Sequence, residues 1–159
     1  TLSPFALVKE IREIYDGYII LSGSMSCGQD ILAAQCIGAD LAYFGTRFIA
    51  TNEANAVDSY KEMIVASNAD DIVYSSLFTG VHGSYLKGSI TNAGLDPDRL
   101  NDGEKEKMDF GSDNAKSKAW KDIWGAGQGV GSMKNILSVS ALVDQLVEEY
   151  NSTKSKLLD

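Results

Sequence analysis

Cysteine, histidine and proline are scarce: two, one and two residues respectively in a chain of 159. Cys27 and Cys36 form no CxxC pair, and no third cysteine is present to complete a thiolate cluster. They read as free thiols of a reducing compartment, which points to the cytoplasm. With His82 as the single histidine, no zinc signature can be assembled, so no metal site is expected. Long apolar runs are also missing. No stretch of about 18 apolar residues suggests a membrane span, and no basic-then-apolar leader is visible at the start. Basic residues are outnumbered, 14 against 22 acidic, for a formal charge of -8. Such a surface repels nucleic acid and anionic membranes, and neither is expected as a partner. A local ring of backbone N–H groups can still hold a phosphate against that net charge.

What remains is ordinary soluble composition, 44% hydrophobic and 23% charged, long enough for one domain with a core. Ser3-Pro4 opens a helix, with Phe5, Val8, Ile11 and Tyr15 at helical spacing and Gly17 as its stop. Tyr18-Ile19-Ile20-Leu21 reads as a strand buried on both faces, broken by Ser22-Gly23-Ser24. A helix from about Gly28 to Ile37 follows, closed by Gly38. Leu41 to Phe44 is a second strand, ended by Gly45-Thr46, and helical signal resumes at Arg47 and from about Ala54 to Ala66. Helices alternating with strands at this spacing predict a parallel sheet with crossover helices.

Beyond a strand-like Ile72-Val73-Tyr74, the stretch from Gly80 to about Asp113 reads as irregular, and 79–135 as a lid-like insertion. Leu142, Val143, Leu146, Val147 and Tyr150 predict one apolar face of a terminal helix, followed by a frayed polar tail.

The two strand ends carry the chemistry. Each places glycine at the C-terminal end of a strand, just before a helix, where the backbone can approach a ligand closely. N–H groups and the positive helix end then face an anion, and Ser24 and Thr46 add hydroxyls. The plainer reading is that both glycines only make tight turns. In eight-stranded barrels the loops after strands seven and eight form a recurrent phosphate site. Arg47 reads as structural, on the exterior or paired with an acid. Tyr74, Tyr85, Trp120 and Trp124 are candidates for a substrate mouth, although packing is the commoner use of such residues.

The run from Gly38 to Ala54 resembles the flavin-phosphate segment of the nitronate monooxygenase family, formerly called 2-nitropropane dioxygenases. Ser22-Gly23-Ser24 stands where that family has a double-glycine turn, with Ser24 replacing the second glycine. Phe78 to Gly83, Gly88 to Pro97, and Trp124 to Gly131 are similar to its later glycine-rich segments. The phosphate motif alone is shared with other flavin and nucleotide barrels; the later segments narrow it. The resemblance implies the C-terminal portion of a (β/α)8 TIM barrel, its last two strands and helices, with the irregular insertion and a terminal helix. It implies an FMN-dependent oxidoreductase acting on a nitronate or nitroalkane with O2. FMN would be held by Gly23, Ser24, Gly45 and Thr46, with Ser22 and Phe44 beside them and Gln128 and Gly129 near the flavin. The family's catalytic histidine would lie upstream of Thr1, so none of these residues is expected to be the base; His82 matches no catalytic position. Two other readings stand beside it: an FMN-dependent enoyl-acyl-carrier-protein reductase, and a non-catalytic phosphate-binding fragment.

Overall fold

The structure, a computed structural model, describes residues 2–100 and 122–158. They form an α/β chain that divides into two compact units, residues 1–55 with 135–159, and residues 56–134.

The first unit begins with α1 (Pro4–Arg12), β1 (Ile20–Ser22), α2 (Gly28–Cys36), β2 (Leu41–Tyr43) and the short α3 (Thr46–Ile49). β1 and β2 pair in parallel, with Ile20 opposite Leu41 and Ser22 opposite Tyr43. The core on the helix side joins Val8, Ile19, Leu21, Ala34 and Ala39. α1 is shorter than its apolar spacing predicts: it stops at Arg12, and Phe5 and Tyr15 are exposed. Tertiary bonds end it there, since the Arg12 guanidinium donates to the carbonyls of Gly17 and Gly38 and pairs with Asp40.

The strands also differ from expectation. Only the face carrying Leu21 and Ala42 packs on helices. Ile20, Leu41 and Tyr43 on the other face are 58%, 55% and 64% exposed.

Asp40 is the hub between α1 and the sheet. The Ile19 N–H donates to its carboxylate at 2.8 Å, and the Arg12 guanidinium lies against it. The Ile19 hydrogen bond, and then Arg12, hold this carboxyl below the usual carboxylate range. A depressed folded pKa stabilises the fold above the unfolded value, and the contribution is lost as pH falls through the folded value. Urea midpoints should therefore drop from about pH 5 to about pH 2. The drop should be smaller in Asp40→Asn, which cannot titrate there.

α6 (Val139–Leu158) completes the first unit, and α4 (Asp58–Ala66) and α5 (Lys87–Asn92) belong to the second. In α6, Leu142 and Leu146 are buried, but Val143 and Val147 are exposed, so the packed stripe is narrower than the apolar face predicts. The tail expected to fray continues the helix to Leu158. α6 crosses α2 closely: the Tyr150 hydroxyl donates to Gln35 at 2.8 Å.

In the second unit, β3 (Ile72–Ser75) pairs antiparallel with β4 (Gly83–Leu86). Residues 124–126 run along β4, with the Leu86 N–H donating to Trp124 O and the Ala126 N–H to Ser84 O. Ile64, Leu86, Ile90, Val130 and Met133 are buried there. The stretch read as irregular from Gly80 thus contains a strand and a helix before the short turn of helix at Pro97–Arg99. The remainder of that stretch, and Trp120, fall outside the described residues.

Candidate functional site

The parallel pairing decides where the two glycine turns lie. Because Ser22 sits opposite Tyr43, residues 23–24 and 44–45 leave the same edge of the sheet side by side. The Ser22 hydroxyl donates to the Tyr43 carbonyl at 3.2 Å and ties the two strand ends together. Gly23 has φ +107°, a region that side chains rarely adopt. Ser24 follows at φ 57°, the left-handed region that glycine favours, so it keeps a glycine-type backbone despite its side chain. Gly45 has an ordinary φ of -102°. Its value is space. A Cβ built on Gly23 or Gly45 meets nothing within 4 Å, so an incoming atom can approach either backbone. Thr46 begins α3 directly after Gly45, and Phe44 is half-buried beside it. Such an edge offers N–H groups, two hydroxyls and open backbone, which suits a small anion.

The start of α2 contributes less than the sequence suggests, because its donors face carboxylates of the chain itself. Asp30 accepts from the N–H groups of Ser26 at 2.7 Å and Cys27 at 3.1 Å. Glu149, far away on α6, accepts from the Gly28 N–H at 2.7 Å. The Cys27 thiol also donates to Asp30, at 3.2 Å. Burial, and then that hydrogen bond, push the thiol up to about 11, so it stays protonated and is no nucleophile at neutral pH. Sequence spacing could have found Asp30, which stands three residues after the cap. Nothing in the sequence marked Glu149.

Arg47 is structural but not on the exterior. It is 3% exposed and donates to the Asn135 carbonyl at 3.2 Å. Burial lowers the pKa of its guanidinium, and the negative charge of Glu149 opposes that shift.

Gln128 and Gly129 open a short 3-10 helix, Gln128–Ser132, in the second unit, with Gln128 exposed. Also in that unit, Trp124 stacks on Tyr60 with ring centroids 5.0 Å apart, and Tyr85 meets Phe78 edge-on. Tyr60 donates its hydroxyl to the Gly125 carbonyl. These aromatics pack against one another. His82 is exposed and stacks on Tyr74, with centroids 5.0 Å apart. Among the described residues no cluster of three metal-ligating side chains occurs, and no helix is long and apolar enough to cross a membrane.

Residues 2–149 match the family model described as nitronate monooxygenase. The chain belongs to the nitronate monooxygenase family. A protein of Bacillus subtilis named "Probable nitronate monooxygenase" is 25% identical over 156 residues, covering 91% of this chain. The chain spans 43% of that relative's length. Among solved structures, FabK from Thermotoga maritima superposes with a TM-score of 0.78 at 24% identity, covering 99% of this chain and 51% of FabK. Nitroalkane oxidase from Streptomyces ansochromogenes gives 0.73 at 24% identity, covering 98% of this chain and 46% of that one. At such identities the likeness is one of fold. Family membership agrees with the resemblance drawn from the glycine turns.

Proposed function

We propose that the chain is the phosphate-holding part of an FMN-dependent nitronate monooxygenase, a cytoplasmic enzyme that oxidises alkyl nitronates with O2. The observation that carries this reading is the shared edge of β1 and β2, where the turns at Gly23-Ser24 and Gly45-Thr46 lie together with open space over both glycines. In this reading their backbone donors and the hydroxyls of Ser24 and Thr46 hold the FMN phosphate. Ser22 fixes the two strand ends relative to each other through Tyr43. Phe44 precedes Gly45 at the second turn, and the family resemblance implies that Gln128 and Gly129 lie near the flavin. When bound, the flavin supplies the electron chemistry for oxidising the nitronate. None of these residues is assigned the role of base.

The reading includes the architecture, a (β/α)8 barrel of which β1 and β2 are the last two strands. The uncovered apolar face of Ile20, Leu41 and Tyr43 supports it, because parallel strands are normally buried on both faces. The whole enzyme of this reading should contain flavin and consume O2 when a nitronate is added, whereas this chain by itself, which supplies no base, should be inactive. Protein that neither contains nor takes up FMN contradicts the proposal.

Because the phosphate motif is shared with other flavin barrels, a second reading is an FMN-dependent enoyl-acyl-carrier-protein reductase. NADH oxidation stimulated by an enoyl thioester, without nitronate-dependent O2 uptake, selects it.

A further inference from the structure

Both helices that follow the glycine turns are tied to one element, α6 and the residues leading into it. At the start of α2 the tie is made by one side chain. The Oε2 atom of Glu149 accepts from the Gly28 N–H at 2.7 Å, four residues beyond Ser24. Its Oε1 atom accepts from the Gln145 side-chain amide at 2.7 Å, which fixes the orientation of the carboxylate. The backbones are in direct contact there, since a Cβ on Gly28 would sit 2.3 Å from the Leu146 carbonyl. At α3 the tie runs through the segment before α6. Arg47 donates to Asn135 O, and the Asn52 N–H donates to Leu137 O at 2.9 Å. The Val139 N–H, at the start of α6, donates to both oxygens of Glu53. The distance between the two turns therefore depends on how α6 is seated.

We propose that Glu149 is a positioning residue for the phosphate cradle, acting through Gly28 to hold the first turn at its working distance from the second. The inference rests on the phosphate reading above. Glu149 touches no ligand in it; its carboxylate sets where the chain after Ser24 is anchored.

Two conservative variants separate reach from charge. Glu149→Asp keeps the charge but is one methylene short of Gly28. Glu149→Gln keeps the reach and an acceptor oxygen but loses the charge. Affinities for FMN and for riboflavin, which lacks the phosphate, are read from flavin fluorescence on the purified protein. Their ratio isolates the phosphate grip. Wild type should prefer FMN. Glu149→Asp should cut that preference about tenfold or more, and Glu149→Gln should keep it within about threefold. Tyr150→Phe removes the Tyr150–Gln35 bond at the other end of α2 and should leave the preference unchanged. The inference is overturned if Glu149→Asp keeps the wild-type preference or weakens both flavins equally, as a merely structural residue would. A wild type without preference for FMN overturns the phosphate reading, and the inference with it.

Discussion

Gly28→Ala should lower the melting temperature by on the order of 10 °C, through a loss of roughly 2–4 kcal/mol. The sign is not the usual one. Alanine in a helix is ordinarily better than glycine by about 1 kcal/mol. Gly28, however, is the first residue of α2 and is buried under α6. An added Cβ lies 2.3 Å from the Leu146 carbonyl oxygen, 2.4 Å from the Tyr150 nitrogen and 2.7 Å from the Glu149 Cβ. Two of those atoms are backbone of a 20-residue helix and cannot swing aside. The helices must separate, which loosens the Glu149 and Tyr150 hydrogen bonds and uncovers Leu142 and Leu146. A thermal melt checks this. A Gly28→Ala variant as stable as wild type would mean that α6 does not cross α2 as described.

Gly45→Asp should abolish tight flavin binding while leaving the fold intact. Gly45 has a φ that any residue can take, and the space where a Cβ would sit is open. It is also the residue before the first turn of α3, a position where aspartate is a favoured cap. Stability should therefore stay within about 0.5 kcal/mol of wild type. In the proposed site the new carboxylate stands beside a phosphate dianion, and repulsion of about 3 kcal/mol corresponds to an affinity loss on the order of 100-fold. Fluorescence titration with FMN measures the affinity and a urea melt measures the stability. Unchanged FMN affinity would place the phosphate elsewhere.

The parts legible in the sequence were those fixed by local chemistry. Gly23 and Gly45 stand where a strand gives way to a turn, and the alternation of helix and strand around them is enough to predict the parallel pair that aligns them. Ser24 was visible as a departure from a double glycine, and the structure gives it the glycine-type φ that the position demands. Other features depend on partners far away in sequence. Glu149 is 121 residues from the N–H that it accepts. Arg47 is buried because residue Asn135 comes to it, which no property of the first helical turn announces. β4 is not legible in the sequence because it opens on Gly83, a residue depleted in strands, within a glycine-rich stretch. It becomes a strand by pairing with β3 on one side and residues 124–126 on the other. The packed face of α6 is narrower than its apolar pattern because Val143 and Val147 share the spacing of Leu142 and Leu146 but not their burial. Periodicity gives a helix its apolar stripe, while the width that is covered depends on the neighbour, here α2.

A crystal structure of the protein with FMN bound tests the central claim most directly. The account predicts the phosphorus at the shared edge of β1 and β2, within hydrogen-bond reach of Gly23, Ser24, Gly45 and Thr46. The Asp30 and Glu149 carboxylates should still occupy the start of α2. A phosphorus seated on the α2 N-terminus in place of those carboxylates, or away from both glycine turns, would contradict it.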